Sequence, residues 1–183
     1  MPYFIFTACD VMSQKPPEPD EAEAKAARLA TAYHESGHAV MALLQGRPIE
    51  KVTICPAEMT AGGSRLGACK IQKGQQKSIQ DPLEAEVLIL LAGMVGESHI
   101  TERYCHAGAS QDLMMVERLL SRRTHKEREL RRLAKRMLSK TEHILNREDH
   151  RKAIASIAVQ LVEKETISGR AVRQLFAEAV QQK

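Results

Sequence analysis

One long helix is written between Asp20 and Gly46, and it constrains the rest of the chain more than any other feature. Asp20 can cap its start, Glu21 and Glu23 lie near the positive end of its dipole, and Gly46 followed by Pro48 stops it after Gln45. Inside it, TAYHESGHAVMALLQ sets His34 and His38 four residues apart. Residues at that spacing share one helix face, so two imidazole nitrogens can reach one ion and supply half of a tetrahedral zinc shell. Glu35 follows the first histidine and can reach a water on such an ion without binding it, placed to take the proton as the water attacks a carbonyl. This is the H-E-x-x-H arrangement of zinc peptidases. Gly37 and Ala39 keep the helix slim beside the motif, which predicts close approach of a substrate backbone there.

Helical periodicity dominates the rest of the chain. DPLEAEVLILLAGMVGESH opens with Asp81 as N-cap and Pro82 at the first helical position, predicting a buried helix of about five turns. After a loop over 101–108, Ser110 is the expected cap of a helix with Leu113, Val116, Leu119 and Leu120 on one face. Further helices carry Leu130, Leu133 and Met137, then Ile154, Ile157 and Leu161, and a last one begins after Ser168. Between the first two helices, KVTIC and LGACKIQ flank a turn-rich segment, so a β-hairpin or small sheet is expected at about 51–72. The fold class is therefore α+β and predominantly α-helical. A Pro-rich linker at 13–20 separates an N-terminal tail, 1–19, from one domain over 20–183.

A chain of 183 residues can bury a core without metal or disulfide staples, so a metal here need not be structural. Aromatics make up only 3%, which leaves Leu, Ile, Val, Ala and Met to build that core. Cys9, Cys55, Cys69 and Cys105 are widely spaced with no C-x-x-C pair, which suggests a reduced, cytoplasmic chain. The longest apolar run, from Val87, is about half of a membrane span, so no transmembrane segment is expected. Arg118 to Arg136 holds nine Arg or Lys residues against only Glu127 and Glu129. Without interleaved aromatics this reads as a solvated face or a site for an acidic protein, and nucleic acid is not an expected partner.

Two histidines need a third ligand. The pattern that continues H-x-x-G-x-x-H is excluded, because Met41 and Leu44 stand at its last two positions. Glu58, Glu84, Glu86, Glu97, His99, His106 and Asp112 remain as candidates on residue type and position. Glu58 lies in the turn-rich segment, and Asp112 can simply favour the positive end of its helix.

Together these segments resemble the peptidase domain of the FtsH-type zinc-dependent AAA+ proteases. AYHESGHAVMALL, IEKVTICPA, LGACKIQ, LLAGMVGES, GASQDLMMVERL and LVEKETISGRAVRQLF resemble that family's segments in the same order, from about Ala32 to Phe176. The resemblance implies that His34, His38 and Asp112 ligate zinc and that Glu35 is the catalytic base. It also implies that Glu97 orients a histidine, and that Leu66, Gly67, Ala68 and Cys69 belong to an edge strand where a peptide adds. Peptides or unfolded proteins are the implied substrates. The family's transmembrane helices and Gly-x-x-x-x-Gly-Lys-[Ser/Thr] phosphate loop have no counterpart, since glycines 62, 63, 67 and 74 do not form one. The expectation is a stand-alone, ATP-independent zinc metalloendopeptidase, with room for a separate ATPase or adaptor and for a homo-oligomer. The rival expectation is a non-catalytic binding or adaptor module that acts through its cleft or its basic helix.

Overall fold

A computed structural model describes residues 20–58, 64–65, 67–71 and 81–181. The first helix, α1 (Glu21–Leu44), starts where Asp20 accepts a hydrogen bond from the Glu23 N–H at 2.7 Å, and it ends before Gly46, whose φ of +70° favours a residue without Cβ. Strands β1 (Ile49–Thr53), β2 (Ala57–Glu58), β3 (Ser64–Arg65) and β4 (Ala68–Ile71) come next. Then come α2 (Pro82–Thr101), α3 (Ser110–Leu120), α4 (Glu127–Leu145), α5 (Glu148–Lys164), β5 (Thr166–Ser168) and α6 (Gly169–Gln181). The α+β, mainly helical class is as the sequence implies.

The expected hairpin is present as the antiparallel pair β1 and β4, with Val52 opposite Cys69 and Thr53 opposite Ala68. Its other side was not anticipated. β5 pairs antiparallel with β1 from the far end of the chain, giving the order β4–β1–β5, while β2 and β3 form a separate two-stranded ribbon. Among the described residues β4 is therefore an edge strand of that sheet. Ser168 ends β5 and also accepts a hydrogen bond from the Ala171 N–H, so it does begin the last helix as expected. Ser110 does not act as expected: it lies inside the first turn of α3, and Ala109 holds the cap position with no side-chain hydrogen bond.

α2 is the hub. Asp81 caps it through the Glu84 N–H at 3.1 Å, and from Val87 to Glu97 only Leu90 is not fully buried. Leu88, Ile89, Ala92 and Val95 join the larger core with α1, β1, α5 and α6, whereas Val87 and Leu91 join a smaller one with Val116, Leu120 and Met137. A helix apolar on all sides has to be enclosed by its neighbours. α1 and α2 pack closely because Gly37 faces Gly96: a Cβ on Gly37 would stand 2.2 Å from the Ala92 carbonyl oxygen. The small residues of α1 thus admit a helix, not a substrate backbone, and Ala39 is wholly buried in the core. The tail expected at 1–19 and Leu66 of the expected substrate strand lie outside the described residues. Among the described residues no helix is long and apolar enough to cross a membrane.

Candidate metal centre

His34 and His38 project from α1 toward α2 and the start of α3, with ring centroids 4.7 Å apart in an edge-on arrangement. Each ring is oriented through its Nδ1. His38 Nδ1 lies 2.7 Å from the Ile89 carbonyl oxygen, which can only accept, so Nδ1 carries the proton and donates it. His34 Nδ1 lies 3.2 Å from Glu97 Oε2, a carboxylate that accepts in the same way. Both bonds leave the Nε2 atoms facing Asp112, whose Oδ2 lies 3.2 Å from the one and 3.3 Å from the other. One nitrogen from each histidine and one oxygen of Asp112 lie within 4.8 Å of one another, close enough for one ion to bridge them.

The loop between α2 and α3 brings Asp112 there. Glu102 closes α2 in the left-handed region at φ 56°, and the Tyr104 hydroxyl donates to Glu142 on α4. Burial and that carboxylate together push the Tyr104 phenol up to about 12, so the anchor stays protonated. Cys105 then folds a turn by accepting from the Gly108 N–H, and Asp112 emerges in the first turn of α3.

The charges around the two Nε2 atoms suit a cation. Burial alone depresses the His34 imidazolium, but hydrogen bonds to Asp112 and Glu97 and the nearby Glu35 charge outweigh it, raising His34 from 6.5 to about 9. Burial works against Asp112 as well, yet its bonds to His34 and His38 hold its carboxyl well below the usual range. A proton shared at Asp112 therefore stands where the donor atoms converge. Room for a larger cation is provided by Gly93 on α2. A Cβ there would lie 2.4 Å from His38 Nε2 and 2.5 Å from His34 Nε2, filling the cradle that the two nitrogens face. A donor set of two imidazoles and a carboxylate matches zinc.

Glu35 is only 5% exposed, and its side chain is packed under the start of β4. A Cβ on Gly67 would lie 2.7 Å from Glu35 Cγ and Oε1, so Gly67 lets the backbone close over this carboxylate. Gly67 is thus placed beside Glu35, with Ala68 and Cys69 continuing along β4. The four groups open into a cavity of about 360 Å³ that also reaches Glu97, Cys105 and Gln111. A second cleft, of about 390 Å³ between Tyr33, His99, Asn146 and Arg151, gathers no comparable donor set among the described residues.

Of the other candidates for a third ligand, Glu97 is taken up by His34 Nδ1 and three more are engaged elsewhere. Glu84 binds Lys140, Glu86 lies 2.6 Å from Arg47, and His99 lies 3.1 Å from Asn146. Glu58 belongs to β2 and His106 to the exposed turn before α3. Gly93 was not anticipated as part of the site. Its signal is a glycine inside the apolar run from Val87 to Val95, a position that asks for a packing reason.

The fold and this centre define a helical domain with a metallopeptidase-like donor set. Residues 22–125 match peptidase family M41, and the chain belongs to that family. It is 37% identical over 91 residues to an ATP-dependent zinc metalloprotease FtsH of Veillonella parvula, covering 49% of this chain and 14% of that protein. It is 41% identical over 93 residues to the FtsH of Lachnoclostridium phytofermentans, covering 49% and 16%. A longer match, 26% identical over 215 residues, covers 95% of this chain and 32% of FtsH 1 of Thermomicrobium roseum. The chain thus spans at most about a third of these relatives.

Proposed function

We propose that this chain is a zinc metalloendopeptidase that hydrolyses peptides and unfolded polypeptides, with His34, His38 and Asp112 as zinc ligands and Glu35 as general base. The convergence of three donor atoms within 4.8 Å, beside a buried carboxylate that directly follows one of the histidines, carries this reading. Bound zinc would polarise the scissile carbonyl and acidify a water. Glu35 takes the proton of the attacking water on its carboxylate and hands it to the departing amine, as its place in H-E-x-x-H suits it to do. Glu97 holds the His34 ring so that Nε2 keeps its lone pair for the metal, and the Ile89 carbonyl does the same for His38. The side of β4 that pairs with no other described strand suits an extended peptide added as a further strand, with Gly67, Ala68 and Cys69 along it. Such a step needs no ATP, and folded substrates would have to be unfolded by another agent.

The test is cleavage of a chemically unfolded protein without ATP, by wild type and Glu35→Gln, with zinc measured on both. About one zinc per chain in each is expected, with cleavage reduced at least ~10²-fold in the variant. Zinc with no cleavage by wild type favours a binding or adaptor module, and absence of zinc from both sinks the metal centre.

A further inference from the structure

The basic stretch that the chemistry of the metal centre does not use forms an exposed surface of its own. Arg118 and Arg122 lie at the end of α3 and just beyond it, and Arg128, Arg132, Lys135 and Arg136 lie along the outer side of α4. All six are exposed, and their side chains make no ion pair or hydrogen bond with other described residues. Their neighbours differ: Arg123 pairs with Asp81, Lys126 with Glu129, Arg131 with Glu127 and Lys140 with Glu84. Within α4, Arg128, Arg132 and Arg136 succeed one another at four-residue spacing, as do Arg131 and Lys135, so like charges face each other on one side of the helix. That arrangement costs helix stability unless an anion lies across it.

We propose that this surface docks an acidic polypeptide segment with apolar residues among its carboxylates. Charge complementarity selects an anion, and two large apolar side chains select the kind. Met114 is 68% exposed and Met115 45%, and Met114 precedes Arg118 by one helical turn on the same face. Flexible thioethers suit varied apolar partners, whereas a phosphate backbone offers them nothing. The described aromatics Tyr33, Tyr104 and Phe176 are packed against the larger core, so no stacking platform for bases accompanies the cations. An anionic membrane is disfavoured for another reason. The apolar side of α4, with Leu130, Leu133, Ala134, Met137 and Leu138, is spent on the smaller core and cannot insert into lipid. The surface starts within one turn of Asp112 and leads away from it along α3 and α4.

Fluorescence anisotropy with a labelled Glu/Leu peptide, measured on the full chain carrying Glu35→Gln so that the probe survives, tests the docking separately from turnover. Binding should weaken at least ~10-fold between about 50 and 300 mM salt. Combined R128E, R132E and R136E should weaken it at least ~20-fold, while lysine at the same three positions keeps it within about threefold. Single Arg132→Glu and Lys135→Glu chains, each expected to lose about threefold, cover the case in which the triple variant fails to fold. Met114→Ser with Met115→Ser should weaken the Glu/Leu peptide and leave a Glu/Ser peptide unchanged. Binding that ignores charge reversal overturns the proposal. So does equal or tighter binding of a single-stranded oligonucleotide of the same charge, or of phosphatidylglycerol vesicles.

Discussion

α2 and α4 lean on the same small cluster of Val87, Leu91, Leu120 and Met137, yet they spend their surfaces in opposite ways. α2 is enclosed on nearly every side, and Glu97 is its one fully buried charged residue. α4 buries Met137, Thr141 and Leu145 and turns its cations outward. An enclosed helix has no slack, so a change in α2 reaches the His34, His38 and Asp112 cluster and the core together. A half-exposed helix separates the two, because its inner face sets stability while its outer face is free to set charge.

The sharpest way to break that contrast is Gly93→Ala, one added carbon inside α2. Its Cβ would stand 2.4 Å from His38 Nε2, so either the imidazoles or the helix must move. Overpacking of this kind costs about 1–3 kcal/mol, and zinc content should fall from near one per chain to below about a tenth. Elemental analysis with a thermal melt reads both losses, and full zinc occupancy in a folded variant would refute the cradle. Glu97→Gln comes next. It keeps shape and removes the charge that orients His34, so zinc affinity measured by chelator competition should drop about 10–100-fold with little change in the melt.

How much of this was legible in the chain depends on distance along it. His34, Glu35 and His38 could be read directly because helix geometry alone unites them, and Asp20, Asp81 and Pro82 marked their helices by local hydrogen bonding. Asp112 could not be chosen among seven candidates on local grounds, since its place depends on how the 102–109 loop is anchored by Tyr104 to Glu142; only the family resemblance singled it out. β5 escaped because three residues, with only Ile167 buried, carry almost no strand pattern, and their partner β1 lies more than a hundred positions away. Gly37 misled for a related reason. A slim position on a helix permits close approach, but nothing local says whether a substrate or α2 takes it.

A smaller effect should appear when the metal is stripped away. In the metal-free chain His34 is raised from 6.5 to about 9, so its contribution to stability is fully present below pH 6.5 and is lost as pH rises through 9. Asp112, held below 3.8, contributes above about pH 4 and loses its share only as pH falls further. The thermal midpoint of chelator-treated protein should therefore decline from pH 6.5 to about 9.5. His34→Asn should flatten that decline, and so should saturating zinc, which competes with the proton for Nε2. A decline of equal size in the His34→Asn chain would remove His34 as its source.

The smallest expected change lies on α4 and runs the other way. Arg132 stands four residues from both Arg128 and Arg136, so Arg132→Glu turns two repulsive pairs into two attractive ones. At about 0.2–0.5 kcal/mol per pair, and with screening by salt, the net gain should be on the order of 0.5–1 kcal/mol. For a domain of this size that is a rise of about 1–3 °C in the thermal midpoint, larger at low ionic strength. A carboxylate placed in the middle of α2 would be ruinous, because no exposed side exists there to receive it. If Arg132→Glu stabilises the chain while weakening its hold on an acidic peptide, the cations of α4 are kept at the expense of stability, which is the expected mark of a binding surface. If stability falls instead, the arginine contributes to the fold through its aliphatic stem, and the division between inner and outer faces of α4 is less clean than its burial pattern implies.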